Sequence, residues 1–290
     1  MEYEYIMSSV AAVLVCVALP VLFGFHNRVE AAPTTAQEIH WRRRLQHATC
    51  GVAVTCGYKW VIRDAWTVVA ILSVACASFL ALHRLRRHMK SVDKLYILLL
   101  GPLLRPHEIR GQLPGGFWFV VGSAAAVALF SKDVALQSIL HLSLGDPIAS
   151  VVGIKMGDGN RIMPGGKSLA GSFAAFLACS LSTLVLFGCC CRPPGDEEGD
   201  SHLVGDSDLV SSSIFGDFSA CAAVGRGVRD SGGSGTPLLP WFAMLGGMSG
   251  AVGELLPLGV DDNLSMPIVS GLTFLALSTV DGPGMITGDV

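Results

Sequence analysis

The sequence predicts an all-α, polytopic integral membrane protein with about eight transmembrane helices, within a range of seven to nine. First, 51% of the residues are hydrophobic and only 15% are charged, whereas soluble domains carry about 25% charged residues. Second, the mean hydropathy is +0.55, and near-continuous apolar runs recur at about the 20-residue length that a helix needs to cross a bilayer. Third, 34 glycines are typical of closely packed membrane helices. The net charge of −3 excludes the basic field that nucleic-acid binding uses.

The apolar runs define the expected elements in chain order. The first run, residues 6–25, follows acidic rather than basic residues, so we expect a retained helix and not a cleaved signal peptide. Residues 95–104 contain Gly101-Pro102 and are too short to cross, which favours an interfacial or re-entrant segment. The remaining expected spans are residues 48–62, 65–82, 117–130, 134–148, 169–191, 238–258 and 264–280.

The polar segments between these runs predict orientation and domain organisation. Basic residues in 26–47 and 83–90 indicate cytosolic loops. If 95–104 does not cross, the polar loops at 42–47, 153–167 and 259–263 all face the cytosol; if it does cross, 42–47 lies opposite the other two. The chain is therefore divided into four parts: 1–47, a first helix and basic loop; 48–191, the first part of a membrane core; 192–236, an acidic and then Gly/Ser-rich flexible linker; and 237–290, the last part of the core.

Asp146 is the first residue that could carry chemistry. It follows an apolar run and opens a polar, glycine-rich stretch, and ionisable side chains within membrane segments are candidates for functional sites. Its carboxylate suits a Mg²⁺ ligand or a base; the alternative is a helix-end carboxylate that faces water. Glu254, inside a predicted span, qualifies by the same rule and has the same alternative.

The loop after Asp146 has the residues expected of a phosphate site. Gly153, Gly157 and Gly159 allow a backbone to approach a ligand closely, and a helix that begins near Ser168 would present N–H groups to an anion. Lys167 would add a positive charge. The alternative is an ordinary flexible loop. The Gly-Gly-Lys-Ser sequence is not a P-loop, because that motif requires glycine where this chain has Arg161.

Two further polar groups border the membrane. Arg43, Arg44 and His47 precede a predicted span and either mark its cytosolic end or bind phosphates. Asp261-Asp262-Asn263 offers oxygen ligands of the kind that a hard cation prefers. Alternatively, the sequence marks the start of a helix, with Asp262 or Asn263 as the N-cap. Acids, cations and glycines beside lipid are what phosphoryl transfer requires. The residues by themselves thus indicate a membrane enzyme or transporter that handles a phosphate-bearing ligand and a lipid.

Three motifs, in order, resemble those of the CTP-dependent lipid kinases, which include dolichol kinase, phytol kinase and the fungal diacylglycerol kinases. One motif looks like the DxxAxxxGxxxG…KKTxEG nucleotide-site signature. Its residues here are Asp146, Ala149, Gly153 and Gly157, followed by Lys167-Ser168-x-x-Gly171. Arg43-Arg44-Leu45-Gln46-His47, with Gly51, is similar to RKxxHxxxG, and residues 261–267 are similar to DDNLxxP. The family is distantly related to phosphatidate cytidylyltransferases.

Departures from the dolichol kinase pattern favour the diacylglycerol kinase branch. Gly166 replaces the first lysine, and Ala170 replaces the glutamate before the final glycine. Ser131-Lys132-Asp133-Val134, leading to Gly145-Asp146, also resembles that branch. Arg44 replaces the usual lysine of the first motif and keeps its charge but not its shape.

The resemblance implies transfer of the γ-phosphate of CTP to the hydroxyl of diacylglycerol, giving phosphatidate and CDP, with Mg²⁺ or another divalent cation. The alternatives are a dolichol or phytol kinase, a cytidylyltransferase that forms CDP-diacylglycerol, and, from another class, a transporter. The implied location is the endoplasmic reticulum or nuclear envelope, with the site facing the cytosol. The implied catalytic residues are Asp146, Lys167, Arg43, Arg44 and His47; the nucleotide-binding residues are Ala149, Gly153, Gly157, Lys167, Ser168 and Gly171; the metal-binding residues are Asp146, Asp261, Asp262 and Asn263.

Overall fold

The computed structural model describes residues 41–62, 64–156, 166–190 and 238–278, and all regular elements within these ranges are helical. Two π-helical turns, Gly57–Val61 and His141–Gly145, and a 3₁₀ turn, Gly101–Leu103, interrupt the α-helices. The predicted span at 6–25 and the predicted linker at 192–236 lie outside the described residues. The α-helices are α1 (Trp41–Cys56), α2 (Ala65–His88), α3 (Lys90–Leu100), α4 (Pro106–Ile109), α5 (Gly115–Leu129), α6 (Lys132–Leu140), α7 (Asp146–Lys155), α8 (Leu169–Cys190), α9 (Leu238–Leu255) and α10 (Asp262–Ser278).

Three helical segments of the described chain are long and apolar enough to cross a membrane. They are Ala65–His88, the continuous segment Lys132–Lys155, and Leu169–Gly188. Helix α5 has 15 residues and α10 has 17, fewer than the roughly 20 that a full crossing takes. The all-helical prediction is confirmed. The count of about eight spans is not: the described residues supply three candidates.

The polar stretch around Asp146 is more helical than predicted. The span expected to end at residue 148 continues to Lys155, because α6, the π turn and α7 join without a break. Asp146 therefore lies inside a long helix, directly after the π turn, and not at the helix end that the alternative interpretation gave it. Phe130 is extended and α6 begins at Lys132, two residues before the predicted start of this span at residue 134.

His141 opens the π turn and is fully buried. Its Nδ1 lies 2.7 Å from Ser270 Oγ and its Nε2 lies 2.9 Å from Thr183 Oγ1. The Thr183 hydroxyl donates to the Cys179 carbonyl, so its oxygen accepts from Nε2–H, which leaves Nδ1 to accept from Ser270. Both ring nitrogens are satisfied, and His141 joins three helices as a structural residue.

Helices α8, α9 and α10 pack closely around small residues and phenylalanine rings. Gly247 of α9 lies against Phe176 of α8, where a methyl group would come within 2.8 Å of the Phe176 carbonyl oxygen. The rings of Phe187 and Phe242 lie 6.2 Å apart, and those of Phe242 and Phe274 lie 6.1 Å apart. The small residues of α9 thus form a helix–helix contact.

The basic end of α2 is partly structural. Residues 83–88 belong to the helix, and Arg86 is only 4% exposed. Its Nε lies 3.0 Å from Asp93 Oδ1, its Nη2 donates to the carbonyls of Glu108 and Ile109, and its guanidinium lies 4.4 Å from the centre of the Tyr96 ring. Arg86 therefore ties α2 to α3 and α4, which the interpretation as a cytosolic loop did not anticipate.

Arg86→Met should lower the free energy of unfolding by about 3 kcal/mol, because hydrogen bonds of a buried charged group each contribute about 1.5–3 kcal/mol and two backbone carbonyls lose their donor. Thermal unfolding in detergent measures this. The matched control is Arg87→Met on the same turn, where the side chain is exposed and a change within about 0.5 kcal/mol is expected. Equal effects of the two substitutions would contradict the tethering role.

Candidate functional site

The first motif forms one face of α1. Arg43, His47 and Gly51 are spaced four residues apart and so align along the helix. Gly51 packs against Ser143 of the π turn, where a methyl group would overlap the serine side chain. The prediction that residues 42–47 form a loop is wrong, because α1 begins at Trp41. The glycine lets α1 approach the π turn next to Asp146, and this contact places Arg43 and His47.

Lys167 joins two other helices through carboxylates. Its Nζ lies 3.2 Å from Glu254 Oε1 at the end of α9 and 3.0 Å from Asp262 Oδ2 at the start of α10. Burial would lower the pKa of Lys167, but the interactions with Glu254 and Asp262 outweigh it and raise the pKa above the ordinary lysine value. Lys167 is therefore held as a cation. The sequence predicted Lys167 and Asp262 for one site, and they are in direct contact.

The acids of the third motif lie at the N-terminus of α10. Asp261 precedes the helix and accepts a hydrogen bond from the Asn263 N–H at 3.0 Å, so the N-cap is Asp261 rather than Asp262 or Asn263. Its Oδ2 lies 3.9 Å from Arg105 Nη1. Burial raises the pKa of Asp261, and the Asn263 N–H and the Arg105 charge only partly oppose the rise.

Asn263 and Arg43 meet at the start of α5. Asn263 Nδ2 donates to the Gly115 carbonyl at 3.1 Å, and the Gly115 N–H donates to Glu108 Oε1 at 2.7 Å. A methyl group at Gly115 would lie 3.0 Å from Asn263 Nδ2 and 3.1 Å from Arg43 Nη2. The first and third motifs, although far apart in the sequence, therefore converge on one glycine.

Asp146 lies between these groups and is half-buried. It interacts electrostatically with Arg43 and Arg44 on one side and with Glu254 on the other. Among the described residues no hydrogen bond or ion pair engages its carboxylate. Arg44 is held by Ser150 of α7, with Nη2 2.6 Å from Oγ. Buried atoms without a hydrogen-bond partner in the described chain include Arg44 Nη1 and Glu254 Oε2. The site therefore has a donor and an acceptor that a ligand can satisfy.

The glycines of the second motif hold α7 against α8. The Ser168 hydroxyl accepts the Gly171 N–H at 3.0 Å at the start of α8. A methyl group at Gly153 would lie 2.6 Å from Ser168 Oγ, and one at Gly171 would lie 2.7 Å from the Ala149 carbonyl oxygen. Gly157 and Gly159 lie outside the described residues, as do all residues from 157 to 165. Ala149, Gly153, Ser168 and Gly171 thus hold the start of α8, which Lys167 precedes, against α7.

Gly171→Ala should destabilise the protein by about 1–3 kcal/mol, because the added methyl group would meet a backbone carbonyl that cannot move without shifting α7. The control is Gly188→Ala on the same helix, where the nearest atom is 3.5 Å away. Thermal unfolding of the two variants in the same detergent measures the difference. A Gly171→Ala protein no less stable than the Gly188→Ala protein would contradict the close packing of α7 on α8.

An apolar cavity of about 440 Å³ adjoins the arginine side of the site. Helices α1, α2, α3 and α5 surround it, and its walls are mostly leucine, valine, alanine and aromatic side chains. Its polar end is formed by Arg43, His47, Glu108 and Asn263. The Nε2 atom of His47 is buried there without a partner in the described chain. The cavity thus connects an apolar volume to the polar site.

The residues proposed as metal ligands do not form a protein-only metal site. In the part of the chain that the structure describes, no group of three or more His, Cys, Asp or Glu side chains is placed to hold a metal ion. Asp261 caps a helix, Asp262 pairs with Lys167, and the Asn263 amide donates to Gly115. Asp146 fits a different mode, since Mg²⁺ often binds through one or two carboxylates together with substrate phosphates.

Several site residues were not predicted from the sequence. Glu108 is 2% exposed and accepts N–H bonds from Arg105 and Gly115, both at 2.7 Å. The Arg-Pro-His-Glu order is a helix-start signal, with proline at the first position and glutamate at the third. This signal predicts a short helix at 106–109. That Glu108 faces the start of α5, and that Ser150 holds Arg44, depends on tertiary contacts.

The described residues thus form an all-helical structure with three candidate membrane spans and a polar site at the end of an apolar cavity. The chain is 38% identical over 146 residues to CTP-dependent diacylglycerol kinase 1 of Eremothecium gossypii, which is 50% of this chain and 45% of that protein. It is 24% identical over 216 residues to the protein of the same name from Schizosaccharomyces pombe, covering 74% of this chain and 81% of the relative. The Saccharomyces cerevisiae protein of that name is 36% identical over 96 residues, 33% of each chain.

These matches confirm the resemblance to the CTP-dependent lipid kinases. The chain spans less than half the length of two of these relatives and about four fifths of the third. No protein-family model matches the chain, and no solved structure matches it.

Proposed function

We propose that this protein is a CTP-dependent lipid kinase that transfers the γ-phosphate of CTP to the hydroxyl of diacylglycerol. The observation that carries the proposal is the convergence of three motifs on one site that borders an apolar cavity. The names of the fungal relatives supply the donor and the acceptor. The proposed reaction forms a bond between the lipid oxygen and the γ-phosphorus, breaks the bond to the β-phosphate oxygen, and releases CDP, phosphatidate and the hydroxyl proton.

Positioning and charge neutralisation are the main tasks of such a site. Arg43, Arg44 and Lys167 would hold the phosphates, and the N-terminus of α8 would add backbone N–H groups. Asp146 lies between the arginines and Glu254, where it would hold a divalent cation or take the hydroxyl proton. Asp261 and Asn263 would keep Arg105, Gly115 and α10 in place.

The charge of the site favours a divalent cation. Among the described residues, the basic side chains of the site are outnumbered by its carboxyl groups, so a nucleoside triphosphate would be repelled without an added cation. Mg²⁺ would bring positive charge to the phosphates, with Asp146 as its protein ligand. The basic residues are Arg43, Arg44, Arg105 and Lys167, and the acidic residues are Glu108, Asp146, Glu254, Asp261 and Asp262.

The position of the transferred label tests the proposal. Purified protein in detergent, with Mg²⁺ and diacylglycerol, should move label from γ-labelled CTP into phosphatidate and leave the label of α-labelled CTP in CDP. With phosphatidate as the lipid instead of diacylglycerol, label from α-labelled CTP in the lipid and release of pyrophosphate would indicate a cytidylyltransferase. Label on dolichol or phytol but not on diacylglycerol would change the acceptor, and no labelled lipid from folded, purified protein would overturn the kinase proposal.

A further inference from the structure

The cavity between α1, α2, α3 and α5 has the size and chemistry of a ligand site. Ligand pockets occupy about 300–1,000 Å³ and are mostly apolar with a few polar groups, and this cavity of about 440 Å³ fits that description. Its charged side chains, Arg43 and Glu108, lie at one end together with His47 and Asn263, beside the residues assigned to phosphate binding. A ligand that fills it has a long apolar part and a polar end.

The cavity opens on a surface suited to lipid. Leu82 of α2 and Leu95 of α3 line it and are 37% and 54% exposed, so the opening lies between these two helices. The outer face of α2 carries exposed apolar side chains, among them Trp66 and Val74, and α2 is one of the segments able to cross a membrane. An acyl chain would therefore enter sideways from the bilayer.

His47 lies at the polar end and has an unused hydrogen-bonding atom. Its ring contacts Phe119, another cavity residue, at a centroid distance of 4.9 Å. Its Nε2 has no hydrogen-bond partner in the described chain, so an unsatisfied polar group lies at this end of the cavity.

We infer that this cavity binds one acyl chain of the glycerolipid substrate, which enters between α2 and α3 and places its free hydroxyl at the polar end, beside Arg43 and His47. The inference rests on the proposed function and adds the location and orientation of the acceptor. The hydroxyl oxygen then faces the phosphates held by Arg43 and Arg44.

A pair of alanines on α2 provides a matched test. Ala75 lines the cavity, whereas Ala77, two residues further on, is exposed outside it. Ala75→Trp should raise the KM for diacylglycerol at least tenfold and leave the KM for CTP unchanged, and Ala77→Trp should change neither. Equal diacylglycerol KM values for the two variants, with both proteins folded, would overturn the inference.

Photo-crosslinking tests occupancy without relying on turnover. A diacylglycerol with a diazirine on one acyl chain should label peptides of α1, α2, α3 or α5 in the full chain, and Ala75→Trp should suppress that labelling while Ala77→Trp does not. Labelling of these peptides without phosphate transfer would support acyl-chain binding in the cavity but would overturn the kinase proposal. Phosphate transfer with the crosslink on other peptides, including residues 6–25, would overturn the inference that the cavity binds the acyl chain. The kinase proposal would then be unaffected.

Discussion

Replacing Asp146 by asparagine is expected to reduce phosphatidate formation from CTP by at least about 100-fold, the loss typical of removing a positioned acid–base group. Asparagine has nearly the same size but no charge, so it can neither accept the hydroxyl proton nor neutralise a divalent cation. The carboxylate has no hydrogen bond or ion pair among the described residues, so the substitution removes none of the contacts that hold this part of the chain together. The measurement is the initial rate of label transfer at saturating CTP.

The control for this substitution is Asp64→Asn. Asp64 is exposed and caps α2 by accepting the Thr67 N–H at 2.6 Å, and asparagine caps a helix about as well as aspartate. Asp64→Asn should keep wild-type activity. Full activity in Asp146→Asn, with both proteins equally stable, would remove Asp146 from the mechanism even if the kinase activity itself is observed.

Replacing Lys167 by methionine is expected to lower both activity and stability. The side chains of Lys167 and Glu254 are 17% and 10% exposed, so removing the ammonium group leaves a buried carboxylate without its cation. Breaking a buried ion pair costs about 3–5 kcal/mol, and because the Asp262 side chain is 46% exposed, we expect a loss of about 3 kcal/mol. Activity should fall at least tenfold through the lost phosphate contact.

Two comparisons separate these effects. Lys155→Met, at an exposed position on the end of α7, should change stability by less than about 0.5 kcal/mol. Adding Glu254→Gln to Lys167→Met should restore part of the stability, because the unpaired carboxylate is removed, but should not restore activity. A double variant no more stable than Lys167→Met would show that the ion pair does not stabilise the protein.

The sequence predicted the helical class and the site residues better than it predicted their local structure. Composition and apolar runs suffice for the helical class, because they reflect the solvent that each segment faces. The spacing of residues 43, 47 and 51 identifies one helix face, but the positive charges were interpreted as a loop. Charge alone does not end a helix, and α1 continues through Arg42, Arg43 and Arg44.

Other features depend on contacts between distant segments. The helix runs past Asp146 because the π turn packs on α1, α8 and α10. The sequence around Asp146 contains no pattern from which these three contacts could be predicted. Arg86 and Arg87 are alike in sequence, yet only Arg86 meets Asp93 and the carbonyls at the end of α4. Glu108 accepts the Gly115 N–H only because the start of α5 lies beside it in the folded structure. Such residues become recognisable once tertiary structure has brought their partners together.

The most direct test of the central claim is the yield of labelled phosphatidate from γ-labelled CTP and diacylglycerol in lipid nanodiscs that contain the purified protein. An equal preparation of Asp146→Asn serves as the blank for contaminating kinases. We expect labelled phosphatidate and an equal amount of CDP from the wild-type protein, and label near background from the variant. Absence of labelled phosphatidate with the wild-type protein, or equal label with both proteins, would contradict the claim.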